Sequence, residues 1–193
     1  MAYLSIGAMV DVVPMLFISI EKDPVLRPSR TELGILASAV TWGMALGTAI
    51  APVADLVGRR PSLIVGSAFF SLFAVLQFSA STLNWLIAFR VLAGIGAGVM
   101  IVIVNVLMCE LLPTLNRGFW LAAFHVGWPV GSSFACIAAS FVHDDWRTAL
   151  LTACLPSVVA MVLMVSSSPE SPRFLVLQDS AESAEDVVNR FAR

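Results

Sequence analysis

The chain has 193 residues, of which 59% are hydrophobic and 12% charged, and its mean hydropathy is +0.90. Soluble globular proteins carry about 25% charged residues, so the composition predicts a membrane protein and argues against a soluble domain. The net charge of -2 argues against nucleic-acid binding, and the three cysteines have no CxxC spacing that would indicate a metal site. Neither a metal nor any other cofactor is therefore expected.

Six apolar stretches follow one another along the chain, and each has about 19 residues or more, enough to cross a hydrocarbon core of ~30 Å as a helix. They predict an all-α membrane protein, a six-transmembrane-helix bundle within residues 1–166. An even number of spans places both termini on one side, taken as cytoplasmic from a small excess of arginine. Plasma and vesicle membranes both fit. The predicted spans are 2–20, 33–54, 62–80, 85–108, 119–142 and 148–166.

The composition changes after the sixth stretch, and residues 167–193 are predicted to form a cytoplasmic tail. Pro169 and Pro172 prevent the sixth helix from continuing. Asp179 and Glu182 resemble a capping box before apolar residues at helical spacing, which favours a short amphipathic helix. A frayed polar tail is the alternative, since so short a helix is marginal alone.

Two ionisable side chains lie inside predicted spans, Asp11 in the first and Arg90 in the fourth. Each costs at least ~2.5 kcal/mol near the bilayer centre if it has no partner, so both are expected to find one. With a helical rise of 1.5 Å, Asp11 lies about 13 Å and Arg90 about 8 Å below the outer ends of their spans, a difference that an arginine can bridge. The pair is either static or a proton-linked switch, because burial favours the neutral acid and a nearby arginine favours the carboxylate.

Three more side chains are candidates for a substrate cavity between the helices. Asn105 is an uncharged polar group on the fourth span, and His125 and Trp128 lie on the fifth. A histidine inside a membrane is more often hydrogen-bonded to a neighbouring helix than functional, and Trp128 could equally face lipid or other helices. Both alternatives stay open at this stage.

A set of charged residues lies at the opposite ends of the same spans, around the sequence PVADLVGRRP. Gly58 permits a sharp turn there, and arginine side chains offer forked donors to carboxylates and helix C-termini. These charges could hold helix ends together and release them, or they could be ordinary solvated loop charges. The candidate gating residues are Asp55, Gly58, Arg59, Arg60, Glu110, Arg117, Glu170 and Arg173.

Several of these motifs occur in a familiar order. The sequence LAGIGAG at 92–98, followed by Glu110 and the pair at 117–118, resembles the fourth helix and following loop of sugar-porter-like members of the major facilitator superfamily. DLVGRR at 55–60 resembles the superfamily's loop between helices two and three, and PESPR at 169–173 its sequence after helix six. RPS at 27–29 and CELLP at 109–113 are similar to the synaptic-vesicle-protein-related and organic-ion branch.

The resemblance implies a fold and a mechanism. The six helices would be the N-terminal half of a twelve-helix major facilitator fold, whose two halves enclose a substrate at the midplane. In proton-coupled sugar porters the positions matching Asp11 and Arg90 are the proton-linked acid and its partner, and the gating residues match a latch that opens. The implied partners are protons, a small polar or ionic solute, the lipid bilayer, and a missing C-terminal half or a second copy.

Two classes of function other than a transporter are relevant to this sequence. A half-length membrane protein that transports nothing but binds a transporter or vesicle partner is the alternative. A membrane enzyme is not expected, because the sequence shows no nucleophile arrangement, metal set or phosphate-binding loop.

Overall fold

The computed structural model describes residues 1–23, 26, 28–112, 116–141 and 145–167, and in these ranges the chain is helical with no strand. Five helical segments, from Arg30–Val57 onwards, are long and apolar enough to cross a membrane, and a sixth, at Ala2–Met15, is apolar but shorter. This confirms an all-α membrane protein. The predicted tail helix lies outside the described residues. The helices are α1 Ala2–Met15, α2 Phe17–Glu21, α3 Arg30–Ile50, α4 Ala54–Val57, α5 Arg59–Leu76, α6 Leu83–Leu111, α7 Arg117–His125, α8 Gly127–Phe141 and α9 Trp146–Ser167.

Local side-chain bonds decide where two of the long helices begin. Ser29 and Glu32 form a reciprocal capping box, so α3 begins at Arg30, earlier than the hydropathy-based start at 33. The hydroxyl of Thr82 accepts the N–H of Trp85 and caps α6, which begins at Leu83. Polar capping residues thus extend both helices beyond their apolar stretches.

Two of the predicted spans are broken into two helices well inside their bounds, and the second span also changes to a 3-10 turn at Ala51–Val53 near its end. The first breaks at Leu16, two residues after Pro14, and the fifth breaks at Val126, three residues before Pro129. Proline has no N–H and its ring crowds the carbonyl four residues earlier, which accounts for the interruption before Pro129. Pro14 lies inside α1, and its effect falls on the carbonyl of Val10. The interruption at Leu16 divides the predicted span 2–20 into α1 and α2.

Glycines bring the helices into close contact in two parallel pairs. Between α3 and α6, a Cβ added at Gly43 would lie 2.1 Å from the carbonyl oxygen of Val91, and one at Gly47 2.1 Å from that of Ile95. Between α1 and α8, a Cβ at Gly131 would lie 1.9 Å from the carbonyl oxygen of Leu4. Small residues that allow backbones to touch are the usual basis of helix association in membranes.

The interior consists of two apolar clusters, one toward each end of the bundle. One includes Leu36, Leu86 and Leu150, and the other includes Met9 and Met100. Large apolar side chains such as Trp42 and Phe141 remain exposed around the outside, as expected for a surface that faces lipid.

The end of the bundle at the start of α9, here called the Trp146 end, is held together by polar contacts. The indole N–H of Trp146 donates to Asp23 Oδ2 at 2.7 Å, and Arg147 Nη1 donates to the carbonyl oxygens of Phe78 and Ala80 at 3.0 and 2.9 Å. The hydroxyl of Thr148 donates to Asp145 and lowers the pKa of this carboxyl from its usual value. These bonds join α9 to the ends of α2 and α5.

Candidate functional site

Arg90 is the largest fully buried side chain in the described part of the protein. Its Nη2 donates to the carbonyl oxygen of Val10 at 3.3 Å. In a regular helix that carbonyl would accept the N–H of residue 14, but residue 14 is proline and has none. The proline therefore leaves a carbonyl free in α1, and an arginine of α6 donates to it. The Arg90 Nε and Nη1 atoms have no hydrogen-bond partner among the described residues.

Asp11 lies next to Val10 but does not form the expected ion pair with Arg90. Its carboxylate instead accepts a hydrogen bond from the hydroxyl of Ser132 in α8. Within the described ranges, no nitrogen of Arg90 comes within salt-bridge distance of the Asp11 carboxylate. The two groups still attract each other electrostatically across the gap. The prediction of a direct contact is therefore wrong for this conformation.

The three predicted cavity residues are brought together around Tyr3 of α1. The amide nitrogen of Asn105 donates to the Tyr3 hydroxyl at 2.7 Å. The Tyr3 ring centroid is 4.5 Å from that of His125 and 6.4 Å from that of Trp128, and Phe124 meets the same ring edge-on at 5.1 Å. Edge-on and tilted contacts at these distances are favourable arrangements for aromatic rings. We call these five residues the aromatic cluster.

His125 is exposed on the aromatic cluster and makes a bond within its own helix. Its Nδ1 lies 2.7 Å from the carbonyl oxygen of Leu121, so this nitrogen donates to that oxygen. The interhelical hydrogen bond considered for this histidine is thus replaced by a bond to its own helix. Its ring lies against that of Tyr3.

Tyr3 and Ser132 were absent from the candidates drawn from the sequence. Ser132 lies one turn after Trp128, on the same helix face. This spacing could have identified it as a further candidate for the cavity. Tyr3 is the only tyrosine of the chain and falls near the start of an apolar stretch. Nothing local to Tyr3 indicates its bond to Asn105, which is 102 positions away.

The charged residues around Gly58 form a compact group at the opposite end of the bundle, here called the Arg59 end. Gly58 has φ 111°, a backbone conformation that favours glycine, and it separates α4 from α5. Arg59 pairs with Asp55 one turn before it, reaches Glu110 at 3.6 Å, and donates to the carbonyl oxygen of Ala54 at 3.3 Å. One guanidinium thus joins the turn after α3 to the end of α6.

The remaining gating candidates are placed less uniformly. Arg117 Nη2 donates to the carbonyl oxygen of Leu112 at 3.3 Å, so it binds the backbone just beyond the end of α6. Arg60 is exposed at the start of α5. Glu170 and Arg173 lie outside the described residues.

Replacing Arg59 tests whether this group stabilises the fold. Arg59→Ala should lower the free energy of unfolding by about 1–3 kcal/mol, because the Glu110 side chain is only 8% exposed and loses a nearby cation. The melting temperature of the detergent-purified protein measures the change. Arg30→Ala, which removes an exposed arginine at the start of α3, is the matched control and should change the melting temperature little. Equal effects of the two substitutions would contradict a structural role for Arg59.

Apolar helices around a buried arginine and an acid define a polytopic helical membrane protein. In the described part of the chain, no three histidine, cysteine, aspartate or glutamate residues are grouped as metal ligands would be. The sequence profile named sugar (and other) transporter matches residues 6–193. The chain belongs to this family, which lies within the major facilitator superfamily and consists of transporters and not enzymes.

Individual relatives agree with this assignment. The inner membrane metabolite transport protein YgcS of Escherichia coli is 31% identical over 98% of this chain and 43% of its own length. The niacin transporter NiaP of Acinetobacter baylyi is 28% identical over 94% of this chain and 42% of its own length. The chain therefore spans less than half the length of these relatives, and it corresponds to the N-terminal half.

A solved structure shows the same fold. The xylose transporter XylE from E. coli, in a partially occluded inward open conformation, superposes with a TM-score of 0.86 at 19% identity over 99% of this chain and 53% of the XylE chain. The six apolar helical segments therefore form one half of a major facilitator fold.

Proposed function

We propose that the complete protein is a proton-coupled secondary transporter, which moves a small polar or ionic organic solute such as a sugar or an organic ion by alternating access. This chain supplies its N-terminal half, and the site is completed by a C-terminal six-helix half or a second copy. One observation carries the proposal: the fully buried guanidinium of Arg90 has two donors without partners in the described structure, and it binds the carbonyl oxygen of Val10, the residue before Asp11.

The proton step follows from these positions. A buried cation with unmet donors attracts a carboxylate, so a conformational change that brings Asp11 to Arg90 would favour loss of its proton. Movement back toward Ser132, away from the cation, would favour proton uptake. Alternating between these two arrangements would couple proton movement to the change in access.

The aromatic cluster supplies a surface for the solute. The Asn105 amide and the Tyr3 hydroxyl offer hydrogen-bonding groups, and the imidazole Nε2 of His125 offers an acceptor or, when protonated, a donor. Ring faces of Tyr3 and Trp128 lie alongside. Ligand sites commonly combine such apolar surface with a few polar groups.

The contacts at the Arg59 end support a gating role. Arg59 joins Asp55 and Glu110, which belong to different helical segments, so separating these segments would break the group. We place this end at the cytoplasmic side, with both termini.

Uptake into proteoliposomes tests the proposal with the protein from the complete gene. Radiolabelled xylose and niacin serve as probes, one a sugar and one an organic ion, because XylE is a xylose transporter and NiaP is a niacin transporter. An inward pH gradient should raise uptake of at least one probe. Asp11→Asn should lower this gradient-driven uptake by about tenfold or more, in the range that coupling free energies produce.

The control for this experiment is Asp145→Asn, which alters an exposed acid at the start of α9 and should leave gradient-driven uptake unchanged. Exchange of labelled for unlabelled probe should survive in Asp11→Asn, because asparagine imitates the neutral acid. Gradient-driven uptake that is undiminished in Asp11→Asn would refute the proton assignment.

A further inference from the structure

The contact between Asp11 and Ser132 is built into the packing of α1 on α8. A Cβ added at Gly7 would lie 2.4 Å from the carbonyl oxygen of Trp128, so the two backbones touch there. Asp11 lies one turn after Gly7, and Ser132 lies one turn after Trp128. In a parallel helix pair these two residues must face each other. The hydrogen bond from Ser132 to Asp11 therefore follows from a backbone contact that glycine makes possible.

The Ser132 hydroxyl has two acceptors within reach. It donates to Asp11 Oδ2, and its Oγ also lies 3.2 Å from the carbonyl oxygen of Trp128. A serine hydroxyl has one proton to donate and two lone pairs to accept with, so it can serve one acceptor at a time while accepting from another group. A carbonyl oxygen also has two lone pairs, so that of Trp128 can take the hydroxyl in addition to a helical N–H.

We propose that Ser132 is a positioning residue that satisfies Asp11 in both of its protonation states by reversing the direction of their hydrogen bond. When Asp11 is ionised, Ser132 donates to its carboxylate. When Asp11 takes up a proton from water, the new carboxyl O–H donates to Ser132 Oγ, and the serine proton turns to the carbonyl oxygen of Trp128. One proton is added to the Asp11 carboxylate, and no other covalent bond within the protein is made or broken.

This inference rests on the proposed role of Asp11 as the proton carrier, and it names what holds the carrier in place. Hydrogen bonds to an ionised group are roughly twice as strong as those between neutral groups. Ser132 therefore favours the ionised form over the neutral one, and it does so at a position separate from Arg90.

Other charged groups around α1 leave this assignment intact. Helices α2, α3, α6, α8 and α9 pack against α1, and Tyr3 also contacts α7. Of their described titratable and charged groups, Arg90 attracts Asp11, and Cys136 contacts Met15 one turn beyond Asp11. The full set is Glu21 on α2, Arg30 and Glu32 on α3, Arg90, Cys109 and Glu110 on α6, Arg117 and His125 on α7, Cys136 on α8, and Arg147 and Cys154 on α9.

The chain contains a matched control for the test. Ser133 is the next residue on α8, is exposed, and donates to the carbonyl oxygen of Pro129 at 2.8 Å, just as Ser132 lies near that of Trp128. Ser132→Ala and Ser133→Ala therefore remove the same kind of bond within the helix. They differ in the contact with Asp11. Ser132→Thr keeps a hydroxyl at the position and tests for rescue.

The measurement follows the carboxyl infrared band of the purified full-length protein in lipid nanodiscs while the pH is changed. Protons are the only probe, so no solute is needed. The band that disappears in Asp11→Asn belongs to Asp11. Its titration midpoint should move up by roughly one pH unit in Ser132→Ala, the shift that corresponds to losing a hydrogen bond to a charged group. Ser133→Ala and Ser132→Thr should keep the midpoint of the unaltered protein.

Each other outcome is decisive. A midpoint that is the same in Ser132→Ala and Ser133→Ala would overturn the positioning role, and Asp11 would remain the proton carrier. A titration midpoint of Asp11 that moves down in Ser132→Ala would mean that the released carboxylate moves to Arg90. This result would also overturn the positioning role of Ser132. Absence of any band sensitive to Asp11→Asn would refute the proton role of Asp11 and the present inference with it.

Discussion

Gly43→Val should prevent stable assembly of the bundle, with a loss of roughly 3 kcal/mol or more, at the upper end of what overpacking costs. The Cβ atom alone would lie 2.1 Å from the carbonyl oxygen of Val91 and 2.9 Å from the Cα of Gly94. Both are backbone atoms, which cannot rotate out of the way as a side chain can. The two helices would have to separate along the contact, and each added methyl group would widen the gap. The yield of monodisperse protein after detergent extraction and its melting temperature measure the loss.

Gly34→Val is the matched control, since Gly34 lies in the same helix and a Cβ there has no atom within 4 Å. Both substitutions replace glycine by valine inside α3, so their effects on helix propensity are similar. Gly43→Ala should fall between the control and Gly43→Val. Equal melting temperatures for the two valine variants would show that the close approach of α3 and α6 contributes nothing to stability.

The helices of this fold are largely predictable from hydropathy, because a helix that crosses lipid must be long, apolar and internally hydrogen-bonded. The positions at which these helices are interrupted are less predictable. Pro14 and Pro129 are visible in the sequence, but an apolar stretch that contains proline is read as one span unless the missing N–H is followed to its carbonyl. Followed in this way, Pro14 identifies the free carbonyl of Val10 and hence an expected donor on another helix.

Several members of the candidate site were predictable from the sequence, but Tyr3, Ser132 and the pairing of the side chains were not. The rise per residue gives the depth of Asp11 and of Arg90 in the bilayer, and both estimates use only position along a helix. Pairing also requires the direction in which each side chain leaves its helix. Gly7 and Gly131 fix how α1 rests on α8, and this rotation turns Asp11 toward Ser132. Such a rotation depends on contacts between distant parts of the chain.

The aromatic cluster shows the same limit. Asn105, His125 and Trp128 are unusual residues in apolar surroundings, and this alone makes them candidates. Their meeting point, Tyr3, is a common type of residue near the end of a membrane span, where aromatic rings are frequent. Its importance comes from contacts to α6 and α7 together, which only the folded bundle shows.

Arg90→Met should leave the protein at least as stable as before. We expect the free energy of unfolding to rise by about 1–3 kcal/mol, as when apolar residues replace buried charges. The guanidinium is fully buried, makes one bond to Val10, and has two nitrogens without partners in the described structure. A methionine of similar length would fill the space without the desolvation cost. At the same time gradient-driven uptake should fall about tenfold or more, because the cation proposed to draw the proton from Asp11 is gone. Melting temperature and proteoliposome uptake measure the two effects.

Arg147→Met is the matched comparison and should change stability in the opposite direction. Arg147 donates two backbone hydrogen bonds at the Trp146 end and lies over the ring of Trp146, 4.5 Å from its centroid. Its loss should therefore destabilise the protein. A clear destabilisation by Arg90→Met would mean that this arginine stabilises the fold through contacts beyond Val10. If instead the two arginines respond with opposite sign, the buried one is held at a cost in stability, which agrees with its proposed role in transport.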